Sequence, residues 1–145
     1  MNNVEILLVE DNINDAELTI RVLKKNNLSS NLMHVKDGAE ALNFIYCKGE
    51  YIERDAKALP KLILLDLKMP KIDGLEVLKV LKSDQDTKHI PVVILTSSKE
   101  EKDLMESYHL GANSYIQKPV EFEKFVKSIS DIGMYWLILN QNVNK

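Results

Sequence analysis

The sequence predicts an α/β fold: five parallel strands in one sheet, with helices on both faces. Two observations predict it, namely short branched apolar runs too brief for helices, and helical apolar spacing in the segments between them. A third sets the scale. At 145 residues, 45% apolar and 28% charged, the chain suffices for one compact domain over 1–145. It runs only a few residues past the last helical pattern, so no attached output domain is expected.

Ile6–Val9, Leu62–Leu65 and Val92–Leu95 read as strands buried on both faces, because no polar residue alternates through them. Asn31–Val35 and Ser114–Gln117 are shorter or more polar, as edge strands are. Helical spacing runs over Ala16–Asn26, with Leu18, Ile20, Val22 and Leu23 near one side, and over Leu75–Lys82 and Asp103–Leu110. Asn14-x-x-Glu17, Asp73-x-x-Glu76 and Ser98-x-x-Glu101 match or approximate capping boxes, and Asp37 before Gly38 is a further cap. Right-handed crossovers, with the three most apolar strands central, give the order 2-1-3-4-5. This is the flavodoxin-like doubly wound (βα)5 arrangement, whose ligand crevice lies at the carboxyl ends of strands 1 and 3.

Composition excludes several functions. A lone cysteine, Cys47, rules out a disulfide framework and a cysteine-based zinc site, and fits a reducing compartment. His34, His89 and His109 are too dispersed for a zinc motif. With 19 basic and 22 acidic residues the net charge is −3, and no basic block speaks for nucleic acid. No apolar stretch reaches the roughly 18 residues of a membrane span, and charge begins at Glu5, so a cytoplasmic chain without a signal peptide is expected.

The chemistry-bearing residues fall just after the strands. Glu10 and Asp11 follow strand 1, Asp66 follows strand 3, Thr96-Ser97 close strand 4, and Lys118-Pro119 follow strand 5. Taken singly each has an ordinary explanation: a helix cap, a strand-end hydroxyl, a solvated lysine. Jointly, in the order this topology requires, they describe one crevice. Three carboxylates forced together repel unless one is protonated or a cation neutralises them. A small set of hard oxygen ligands favours Mg²⁺.

The runs Ile6-Leu7-Leu8-Val9-Glu10-Asp11-Asn12, Leu64-Leu65-Asp66-Leu67-Lys68-Met69-Pro70, Asp73-Gly74, Leu95-Thr96-Ser97 and Lys118-Pro119 resemble the receiver domain of two-component response regulators, the CheY-like family, over nearly the whole chain. The resemblance implies that Asp66 accepts a phosphoryl group from a sensor histidine kinase. Glu10, Asp11, Asp66 and the backbone carbonyl of Lys68 would hold Mg²⁺, partly through water, while Thr96 and Lys118 bind phosphoryl oxygens. Many members carry Asp where Glu10 stands, and the extra methylene suits a contact through water. Tyr115 resembles the family's aromatic switch, which turns inward when the threonine moves, and Pro119 its cis-proline. In the family, the side chains at the positions of Lys68 and Ser98 influence phosphoryl lifetime. Lys68 either lends the site an extra charge or is a solvated loop lysine.

Phe122, Phe125, Val126, Ile129, Ile132 and Trp136 form one helical stripe, yet Met134, Tyr135 and Ile138 sit off it. Either the tail folds back, or a second copy covers it in a homodimer through the last helix, the preferred reading. The connection Cys47–Pro60 exceeds the usual roughly 2–6 residues, with Tyr51 and Ile52 placed to pack back. This loop and the closing Tyr135–Asn140 resemble the stand-alone regulators that partner bacterial phytochromes. Other classes fit less well. An aspartyl-phosphate hydrolase usually has a second Asp where Lys68 stands, and a dinucleotide or flavin site would show a Gly-rich first turn. A scaffold-only pseudo-receiver would not keep the complete acidic set.

Overall fold

The structure is a computed structural model that describes residues 4–25, 31–69, 71–97 and 100–131. Strands β1 (Ile6–Val9), β2 (Leu32–Val35), β3 (Leu62–Leu65), β4 (Val92–Thr96) and β5 (Ser114–Gln117) alternate with helices α1 (Ile13–Lys25), α2 (Gly38–Ile45), α3 (Gly74–Ser83), α4 (Glu101–His109) and α5 (Phe122–Asp131). All strand pairs are parallel and the order is β2-β1-β3-β4-β5, as expected.

Strand alternation divides the core in two. Leu7, Val9, Ile63, Leu65, Val92 and Ile94 point to one face, where Phe44, Ile45, Val77, Leu78 and Leu81 of α2 and α3 cover them. Ile6, Leu8, Leu62, Leu64, Val93 and Leu95 point to the other, covered by Ala16 and Leu23 of α1 and Phe125 of α5. Two covered faces explain why the central strands are uninterrupted apolar runs.

Helix starts follow local capping chemistry. Asp37 accepts from the Glu40 amide at 2.8 Å and Asp73 from the Glu76 amide at 3.0 Å. Three expectations change. Helix α1 begins at Ile13, and Asn12, not Asn14, accepts from the Asp15 amide at 2.9 Å, so Asn14 lies inside the helix. Leu18 is 51% exposed because Ala16, Thr19 and Leu23 form the buried stripe. Helix α4 starts at Glu101 behind Glu100, later than a Ser98 cap would start it; Ser98 itself lies outside the described residues.

In the 46–61 connection, a 3-10 turn (Gly49–Tyr51) brings the Tyr51 ring edge-on to Phe44, with centroids 5.2 Å apart, and its hydroxyl donates to Glu40 at 2.5 Å. Ile52 does not pack back; it is 71% exposed. On α5, Phe125 is fully buried and Val126 half-buried, but Phe122 is exposed. The Ile129 side chain and Ile132, Met134, Tyr135, Trp136 and Ile138 lie outside what the structure describes.

Candidate functional site

Register brings the strand ends level. Val9 pairs with Val35 on one side and Leu65 on the other, and the amides of Glu10 and Asp66 donate to the carbonyls of Val35 and Val9 at 3.0 and 3.1 Å. The acidic pair and Asp66 therefore leave the sheet side by side. Thr96 pairs with Gln117, and the Lys118 amide donates to the Thr96 carbonyl at 2.8 Å, which carries Lys118 to the same rim. Thr96 is fully buried, and Tyr115 is half-buried against the core formed with α2 and α3. The Lys118–Pro119 bond is cis.

Oxygens of Glu10, Asp11 and Asp66 lie within 4.8 Å of one another. The Lys118 ammonium sits among them, 2.6 Å from Glu10 Oε1, 2.9 Å from Asp15 Oδ2 and 3.5 Å from Asp66 Oδ2. Glu10 is only 2% exposed, and its other oxygen accepts from the Asn12 amide at 3.2 Å. Burial pushes the Glu10 carboxyl up to about 7, with the Lys118 hydrogen bond opposing and the Asp66 charge reinforcing the rise. Burial alone would lower Lys118, but its bonds to Glu10 and Asp15 and the charge of Asp66 outweigh that and hold the ammonium above the ordinary lysine range.

The loop after Asp66 is shaped by Gly74. A Cβ there would stand 2.2 Å from the Asp66 carbonyl oxygen and 2.7 Å from the Leu67 Cα, so the α3 start packs directly on the backbone carrying Asp66. The side chain of Lys68, on that loop, is not simply solvated. Its ammonium pairs with Asp103 of α4 at 3.3 Å.

Sequence reasoning missed three participants. Asp15 is a third carboxylate on Lys118, from the first turn of α1. His34 Nε2 donates to the Glu10 carbonyl at 2.8 Å from the neighbouring strand. Asp103 holds Lys68. Of these only Asp15 left a signal, since an Asn12 cap places it in the first turn beside the β1 end.

A model of the response regulator receiver domain matches residues 6–130. The chain belongs to the response regulator receiver family. Rcp1 of Synechocystis sp. is 42% identical over 132 residues, covering 91% of this chain and 88% of that protein. A solved Mn²⁺-bound form of Rcp1 superposes with a TM-score of 0.75 at 41% identity, covering 92% of this chain and 94% of that one. The bacteriophytochrome response regulator AtBRR is 48% identical, with a TM-score of 0.85 over 97% of this chain and all of that one. The phosphorylated cyanobacterial phytochrome response regulator RcpA is 39% identical, with a TM-score of 0.76 over 94% and 95% of the two chains. The receiver is thus a CheY-like signalling domain of the two-component phosphorelay type, and its acidic cluster fits the divalent-metal binding of such domains. No helix of the described residues is long and apolar enough to cross a membrane.

Proposed function

We propose that Asp66 of this receiver accepts a phosphoryl group from a sensor histidine kinase in a Mg²⁺-dependent reaction, and that the chain signals by a change of shape and binding. The observation that carries this is the rim itself: one ammonium and two further carboxylates, Glu10 and Asp11, gathered around Asp66, the arrangement that lets a carboxylate be approached by an anionic donor. The donor set is hard oxygen throughout, which fits Mg²⁺. Asp11, Asp66 and the Lys68 carbonyl would hold the ion directly. Glu10, whose two oxygens already serve Lys118 and Asn12, suits a contact through water. When bound, Mg²⁺ supplies two positive charges against the carboxylates and the incoming group.

The chain's own residues supply the rest. An Asp66 oxygen attacks phosphorus in line with the histidine nitrogen; the O–P bond forms, the P–N bond breaks, and the imidazole keeps the electron pair. Lys118 turns from Glu10 and Asp15 toward the transferred oxygens, and the buried Thr96 hydroxyl donates to one of them. Its displacement leaves room for Tyr115 to move inward, a two-position element that phosphorylation biases. Pro119 orients Lys118. Beyond self-catalysed transfer and loss of the phosphoryl group, the chain is no enzyme. The partner is a kinase, a bacterial phytochrome being favoured by the phytochrome regulators among its relatives. The setting is cytoplasmic, without nucleic acid or membrane. A homodimer through the last helix belongs to this proposal, while Met134, Tyr135 and Ile138 lie outside the described residues.

The test is incubation with a small phosphodonor and Mg²⁺, followed by intact mass. One adduct of about 80 Da, absent in Asp66→Asn and without Mg²⁺, is expected. An adduct that survives Asp66→Asn overturns the assignment.

A further inference from the structure

Helix α4 is anchored unlike the other helices. Among its residues whose side chains are described, only Asp103 and Ser107 are buried, while Met105 and Tyr108 face outward. Ser107 Oγ donates to the Asp103 carbonyl at 2.8 Å, so the inner side of this helix is polar. The Asp103 side chain is 7% exposed, and a carboxylate so enclosed is costly to leave without a countercharge. One countercharge comes from Lys68, 3.3 Å away, on the loop that carries Asp66. Lys68 stands two residues past Asp66, within about 7 Å along the backbone. Its side chain is 61% exposed, so no packing encloses the ammonium.

We propose that Asp103 is a positioning residue for Lys68: the Asp103 carboxylate and a phosphoryl group on Asp66 compete for this one ammonium, which links phosphoryl lifetime to the seating of α4. This rests on the reading of Asp66 as phosphoacceptor. Without phosphate, Asp103 holds the ammonium. A phosphoryl group adds negative charge at the other end of the lysine's reach and draws it over, and Asp103 loses a partner inside a helix with little apolar anchorage. The equilibrium coupling runs both ways, so a ligand that separates α4 from Lys68 favours the phosphorylated form. The lifetime effect has a direction. In a loose phosphoryl-transfer transition state, charge moves from the phosphoryl oxygens to the leaving carboxylate. An ammonium on those oxygens therefore stabilises the acyl phosphate more than its hydrolytic transition state, and hydrolysis slows.

The experiment measures phospho-Asp66 decay by intact mass in wild type, Asp103→Asn, Lys68→Ala and the double variant, at fixed Mg²⁺. Asp103→Asn should lengthen the lifetime roughly two- to fivefold, the size of a half-exposed ion pair, and should have no effect in the Lys68→Ala background. Asp103→Asn changing the lifetime equally with and without Lys68, or not at all, overturns the proposal while the phosphoacceptor reading stands. No adduct on wild type overturns both. The wild-type chain gives an independent readout should Asp103→Asn fail to fold. On adding beryllium fluoride with Mg²⁺ as a phosphoryl mimic, the carboxyl carbon of Asp103 and the side-chain nitrogen of Lys68 should both shift in NMR spectra. An unmoved Asp103 signal, with the mimic bound, refutes the exchange.

Discussion

Replacing Glu10 by Gln tests the electrostatics of the rim. Burial raises the Glu10 carboxyl from the ordinary 4.5 to about 7 in the folded chain. Between those values the folded state holds a proton that the unfolded state has released, so the contribution of this group to stability falls as pH rises from 4.5 and is fully lost above about 8. The displacement corresponds to at most about 3 kcal/mol. Gln keeps the shape and carries no charge, so Glu10→Gln should match wild type near pH 4.5. It should exceed it by up to about 3 kcal/mol at pH 8, less whatever the Lys118 contact returns. Urea unfolding in chelator at five pH values measures the difference, with m unchanged if only the native site is altered. Titrating groups remote from Glu10 cancel in the comparison. A difference flat from pH 4.5 to 8.5, or a wild type that gains on the variant as pH rises, refutes the reasoning.

Two further perturbations probe the frame around the site. Gly74→Ala drives a methyl into the Asp66 carbonyl and the Leu67 Cα, both backbone, and should destabilise by about 3 kcal/mol while slowing phosphodonor uptake; unfolding and mass measurements read both. Arg54→Ala removes hydrogen bonds to the Phe44 and Ala58 carbonyls and a guanidinium 3.8 Å from the Phe44 ring centroid. A loss of about 1–2 kcal/mol and faster proteolysis between residues 46 and 61 are expected, and unchanged cleavage there would show that Tyr51 alone holds the connection.

The central sheet was legible because burial on both faces leaves no polar residue in β1, β3 or the first four residues of β4, and the acidic and basic rim because parallel strands deliver their ends to one edge. The caps Asp37 and Asp73 were legible for a local reason: the group they bond lies three residues away. The sequence pattern marked Asn14 as the start of α1, whereas the cap is Asn12, a choice set by where β1 ends. Helical spacing over Asp103–Leu110 marked α4, yet among its described side chains the buried positions are Asp103 and Ser107, a preference set by tertiary contacts. The Asp15–Lys118 pair spans 103 positions and Lys68–Asp103 joins two loop-and-helix neighbours. Neither has a periodic signature, so such charges become visible only when the chain is folded.

Lys118 acts as a built-in counterion for the rim. Because its ammonium already touches Glu10, Asp15 and Asp66, the acids do not depend on an outside ion to coexist. A divalent ion at this rim is therefore a visitor and not a staple. Chelators should silence the receiver without unfolding it.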